Sequence, residues 1–212
     1  MVALAKMLMY TEKFAGLKFS DKILMFKNAW TQCYQVERAY TTVLSFGTSP
    51  TDFRAMYTQN TAIDFADLKN YRFKDIDSVE YDEMIRFWFP IMEKIIRSLL
   101  LPVKSLELTQ FEASYLIAQI LWSIQDVHEI SKEAHEISDK ISSEIANDLH
   151  NYYVFEMNLS NYAQRLIELT KLIASTKEIN NAKKEFSLMN RVFDKFKIEI
   201  IGSEICNWNN IV

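Results

Sequence analysis

His128 and His135 stand in a stretch that also holds Glu129, Glu133, Glu136 and Asp139. Those are residue types that ligate divalent metals. Seven residues on a helix is two turns, however, too far for the i, i+4 pair that shares one ion, so a solvated charged face is the better reading. His150 lies beside Asp148 and Tyr152 with no nucleophile at a telling spacing. Asp64 and Asp67 have the chemistry for acid–base work, but loop acids near lysines are usually solvated. No GxSxG, HExxH, phosphate loop or dinucleotide fingerprint occurs. Cys33 and Cys206 form no CxxC pair, which excludes a zinc module and leaves free buried thiols in a reducing compartment as the default. Bond-making chemistry therefore finds no constellation, and a small all-α enzyme is the weakest of the readings. Lys27 sits among Ile23, Leu24, Met25, Phe26 and Trp30, either snorkelling from a buried helix or marking a surface. Tyr34, Gln35, Arg38 and Thr41 recur at helical spacing, as residues facing a cavity or packing a core do. Arg38 could pair with a carboxylate, as in an ordinary surface pair with a nearby acid.

The elements that position these residues read as helix after helix. The first runs from about Ala3 to Ala15 and stops near Gly16. Ser20 is the expected N-cap of the second, with Phe19 and Leu24 at the spacing of a hydrophobic staple. No breaker follows until Gly47, and the apolar residues cover most of the circumference, so this helix belongs inside. Phe53 to Phe65 reads as a short hairpin turning at Gln59-Asn60. Asp77 with Glu80 resembles a capping pair for a helix over roughly Ser78 to Leu101, kinked or divided at Pro90 and ended by Pro102. Thr109 and Glu112 form a capping box opening a second central helix, near 108–128. Ser131 to Leu149 is charged on most faces and lies outside. From Ser160 a helical pattern continues to about Ile200, with a break expected at Asn180-Asn181. The sum is eight to ten helices and one hairpin, in one domain.

Composition agrees. The chain has 212 residues, 49% hydrophobic, with only three glycines and three prolines. A sizeable core can form, while sandwiches and barrels would need more turns. A net charge of −4 gives no global reason to bind nucleic acid or an anionic membrane. The longest uncharged apolar run, Ala113 to Gln125, is too short to span a bilayer. The N-terminus carries Lys6, Glu12 and Lys13 and reads as an amphipathic helix, not a signal peptide. The sequon Asn158-Leu159-Ser160 is a short motif of the kind that arises by chance.

Two central apolar helices, with the stretch "FAGLKFSDKILMFKNAW", together resemble the ligand-binding domain of nuclear receptors. The residues that carry the resemblance are Phe14, Leu17, Asp21, Lys22, the run Ile23 to Phe26, and Trp30. The family usually has glutamine where Lys22 stands, and lysine there looks like the nematode branch. "LELTQFEASYLIAQILW" is similar to the family's eighth helix with its buried glutamate, here Glu112. "NYAQRLIELTKL" resembles the tenth, which often forms a dimer interface. The three segments occur in family order at family spacing.

The resemblance implies an all-α fold, a three-layer antiparallel helical sandwich with one small hairpin, beginning within the family's third helix. It implies a groove for an LxxLL-type coregulator helix at Phe14, Phe19, Lys22, Ile23, Phe26 and Lys27, with Glu204 as the acid of the final helix and Glu199 as the alternative. The family's clamp lysine aligns with Met9, and Lys13 lies about a turn away. It implies a lipophilic ligand at Trp30, Tyr34, Gln35, Arg38 and Thr41, where the family's anchoring arginine aligns with Thr41. A homodimer or a heterodimer with another nuclear receptor would use Tyr162, Arg165, Leu166 and Leu169. The expected setting is the nucleus, with neither a cofactor nor a metal, no membrane, and no DNA contact by this chain, since two cysteines cannot build the family's two four-cysteine zinc modules. The alternative is an orphan or truncated module that acts through dimerisation without ligand.

Overall fold

The computed structural model describes residues 2–67 and 78–193. Eight α-helices and one hairpin make up the described chain: α1 (Val2–Met9), α2 (Glu12–Ala15), α3 (Phe19–Phe46), β1 (Arg54–Met56), β2 (Ala62–Asp64), α4 (Ser78–Ile95), α5 (Leu101–Leu106), α6 (Gln110–Trp122), α7 (Lys132–Asn151) and α8 (Ala163–Phe193). Two compact units are formed, one by Met1–Glu37 and Thr109–Ile173, the other by Arg38–Leu108 and Ala174–Val212.

In the first unit, α3 turns one face inward. Asp21, Met25, Ala29, Gln32 and Val36 are all buried at the i, i+3 and i, i+4 spacings of one helical stripe. Asp21 is buried because it has work: its carboxylate accepts the Ser131 N–H at 3.1 Å and the Ser131 hydroxyl at 2.7 Å. Ser131 Oγ in turn accepts the Ala134 N–H, capping α7. The aspartate therefore fixes where α7 begins. Further along α7, the Ser138 hydroxyl donates to the Trp122 carbonyl at the end of α6, so even this charged helix contributes one fully buried polar residue.

Helix α6 starts as its sequence requires. Thr109 and Glu112 complete the capping box in both directions. Leu116 and Ile120 then enter the core, and the Cys33 thiol of α3 reaches the Ile117 carbonyl at 3.7 Å. Burial pushes that thiol up to about 12, against a smaller opposing pull from a backbone hydrogen bond. It stays protonated and is no nucleophile at neutral pH.

In the second unit, Gly47 takes the left-handed conformation, φ 79°, and ends α3. The hairpin pairs Arg54 with Asp64, Ala55 with Ile63 and Met56 with Ala62. Three contacts fix it. The Met56 N–H donates to Thr42 Oγ1 at 2.9 Å. The Arg54 guanidinium lies 4.5 Å over the Phe46 ring and grips the Asp52 carboxylate, which that hydrogen bond holds well below the usual carboxylate range. Lys104, 1% exposed, donates to the Ser49 and Asp52 carbonyls at 3.0 and 2.5 Å. Trp88 of α4 packs edge-on against Phe186 of α8, centroids 5.0 Å apart.

Several expected boundaries move. The first helix is two, α1 and α2, because the Thr11 hydroxyl turns back to the Leu8 carbonyl at 2.6 Å and breaks the run. Helix α3 starts at Phe19, which is 78% exposed, so Phe19 closes no staple and Ser20 is no cap. Pro90 sits inside α4 without dividing it. Pro102 does not stop the chain either. A π-helical turn over Ile96–Leu100 delivers it to the first turn of α5, where its missing N–H costs nothing. The stop comes at Glu107, left-handed at φ 48°. Helix α8 runs unbroken through Asn180, which is buried. Asp77 and Cys206 lie outside the described residues.

Candidate functional site

The outward face of α3 is unusual for a surface. Phe19, Lys22, Ile23, Phe26 and Lys27 follow the i, i+3, i+4, i+7, i+8 pattern of one stripe. Phe19 is exposed, and the other four are half-buried. Two cations thus flank an apolar strip on a helix whose other face is already core. Lys22 Nζ donates to the Ala15 carbonyl at 2.5 Å, satisfying the C-terminal end of α2. That contact also ties α2 to the first turns of α3. Phe14 is placed differently from its neighbours in sequence. It is 3% exposed and packs edge-on against Trp122, centroids 6.4 Å apart. Its side chain therefore offers almost no surface to a partner. Met9 is half-exposed and Lys13 exposed. Glu199 and Glu204 lie outside the described residues.

Further along α3, Trp30 is buried and its ring lies 6.5 Å from that of Tyr34. Gln35 is buried, and Arg38 and Thr41, in the second unit, are half-buried. The Arg38 carbonyl accepts the Thr42 hydroxyl at 2.7 Å.

The start of α8 is held by the buried glutamate of α6. Glu112 is fully buried and accepts from Arg165, through Nε and through Nη2 at 2.7 Å, and from the Tyr153 hydroxyl at 2.6 Å. Burial alone would raise its pKa. The hydrogen bonds from Arg165, Tyr153 and the Thr109 N–H win, and hold it below the usual range. Burial and the neighbouring carboxylate push Tyr153 up. The Glu112 hydrogen bond raises Arg165 further, so the pair is ionised and the phenol neutral. Arg165 and the fully buried Leu169 are therefore engaged inside their own unit. Tyr162 and Leu166 are half-buried, and Ile167, 54% exposed, points outward. Tyr162 also meets His150, whose Nδ1 is 2.6 Å from the phenol oxygen.

The roles of Arg165, Tyr153, Ser131, Ser138 and Lys104 were not read from sequence. Only one carried a signal, Lys104, a cation inside the apolar segment Leu99 to Leu106.

Among the described residues no three His, Cys, Asp or Glu side chains gather as a metal site, and no helix is long and apolar enough to cross a membrane. The comparisons with known proteins then agree with one another. The profile of the family described as the ligand-binding domain of nuclear hormone receptor matches residues 1–193. Nuclear hormone receptor family member nhr-213 of Caenorhabditis elegans is 26% identical over 97% of this chain and 49% of its own length. Family member nhr-130 of the same organism is 27% identical over 96% of this chain and 46% of its own length. The chain thus spans about half the length of these curated relatives. Among solved structures, the Ultraspiracle ligand binding domain from Drosophila melanogaster superposes with a TM-score of 0.62 at 16% identity, covering 97% of this chain and 76% of that one. This likeness gives the fold. The chain belongs to the family of nuclear hormone receptor ligand-binding domains.

Proposed function

We propose that this domain regulates transcription, in the nucleus, by docking an amphipathic coregulator helix of LxxLL type on the outward face of α3, under the control of a lipophilic ligand. The observation that carries the reading is the strip itself: Phe19, Ile23 and Phe26 at helical spacing, with Lys22 and Lys27 beside them. A partner helix lays its leucines into such a strip. Its C-terminal carbonyls, which carry the negative end of the helix dipole, meet the cations. The acid that would hold the partner's other end is Glu204, or Glu199 in its place.

The ligand would lie along α3 at Trp30, Tyr34 and Gln35, with Arg38 and Thr41 continuing the same spacing. Its effect would be to shift a population between two states of the domain and not to build a new site. Dimerisation through the start of α8 would use Tyr162 and Leu166, with Ile167 as the outward apolar residue, since Arg165 and Leu169 are occupied within the fold. None of these roles needs covalent chemistry.

Lys27→Glu tests the docking. The substitution places a carboxylate where the partner's dipole needs a cation, and like charges so juxtaposed cost several kcal/mol. Fluorescence anisotropy with a labelled LxxLL peptide should show affinity reduced by about a hundredfold or more, with the melting temperature nearly unchanged. Equal affinity in the variant would remove Lys27 from the role assigned to it.

A further inference from the structure

Gln35 is a buried side chain, 6% exposed, and among the described residues neither its Nε2 nor its Oε1 has a hydrogen-bond partner. Elsewhere in the same unit the fold is careful with such groups. Asp21 has Ser131, Gln32 donates to the Asn28 carbonyl at 2.9 Å, Ser138 donates to Trp122, and Glu112 has three donor residues, Thr109, Tyr153 and Arg165. A glutamine amide carries two donors and an acceptor oxygen. Leaving all of them unmade in an interior is among the costliest choices a core can make, and leucine would fill a similar volume at no such cost. The amide also lies on α3 next to Tyr34 and one turn before Arg38, among the residues proposed to meet a ligand.

We propose that Gln35 is the polar anchor of the ligand site, and that the ligand is a lipophilic molecule with a neutral donor–acceptor pair at one end, a carboxamide or a lactam. The inference rests on the reading that the domain binds a lipophilic ligand. The argument for the class is complementarity. A carboxamide offers its carbonyl to Nε2–H and its own N–H to Oε1 at once, closing both orphan positions. A hydroxyl engages one of the two at a time. An ionised carboxylate accepts from Nε2 but sets its second oxygen against Oε1. A hydrocarbon leaves both unmade.

The test is a binding and thermal-shift series at pH 8 with oleamide, oleyl alcohol, oleate and octadecene, on the wild-type domain, Gln35→Leu and Gln35→Met. On the wild type, oleamide should bind tightest and octadecene weakest. In both variants oleamide affinity should fall by about tenfold to a hundredfold, octadecene should bind no worse, and the unliganded protein should melt at a higher temperature. Oleamide binding the variants as tightly as the wild type, while the lipids still bind, would overturn the anchor and leave the ligand reading standing. Failure of every lipid to bind the wild type would overturn both. Unfolding of both variants would show the amide to be satisfied within the protein, and would also overturn the anchor.

Discussion

Arg165→Met should destabilise the domain by about 3–5 kcal/mol, the range found when one partner of a buried pair is removed. The cost comes from what is left behind. Glu112 is fully buried, and without the guanidinium its charge keeps only the Tyr153 hydroxyl and the Thr109 N–H. The pH dependence should change sign with it. In the wild type the folded carboxyl lies below its ordinary pKa, so its contribution is fully present above the unfolded value, near 4.3. It is lost as pH falls through the lower folded value. In the variant, burial is the main influence left, and the folded pKa rises above the unfolded one. Stability should then improve, relative to wild type, as the solution is acidified from neutrality to about pH 5. Urea titrations at pH 7.5 and 5 measure both effects. A variant as stable as wild type, or one that weakens further on acidification, would mean that Arg165 does not hold Glu112.

Lys104→Met should cost about 2–4 kcal/mol, since hydrogen bonds from a charged donor contribute about 1.5–3 kcal/mol each and their loss strands buried acceptors. The Ser49 and Asp52 carbonyls lose their donor. The damage should be local first. Hydrogen exchange should speed up across residues 47–56, where the chain leaves α3 and enters β1, and stay nearly unchanged in α6 and α7. Uniform acceleration throughout the chain would show instead that Lys104 serves global stability and not this loop.

The parts of the fold legible in the sequence are those decided by neighbours. The capping box of Thr109 and Glu112 needs only a four-residue window, and it formed as written. Gly47 and the hairpin around Gln59-Asn60 are equally local. What escaped is decided at a distance. Asp21 finds Ser131 across 110 positions, and no pattern near either residue announces it. Asn180 is a poor helix former by propensity, yet burial within a long helix overrides that preference. Pro102 would end a regular helix, but after the π-helical turn it falls in the first turn of α5, where proline is tolerated.

The candidate site divides in the same way. The strip from Phe19 to Lys27 was expected from the family resemblance, and helical spacing puts those residues on one face. That Phe14 is buried was not readable, since this depends on Trp122, far along the chain. Arg165 and Leu169 fit an amphipathic interface by spacing just as well as they fit a core. Only Glu112, meeting Arg165 from another helix, decides between the two.

The most direct measurement is a hydrogen–deuterium exchange footprint of an LxxLL peptide on the wild-type domain. Slower exchange should concentrate in residues 12–27, covering α2 and the first two turns of α3, with little change in residues 131–151 or 163–173. Protection confined to α7 or α8, with residues 12–27 exchanging as freely as before, would contradict a partner-helix site on α3.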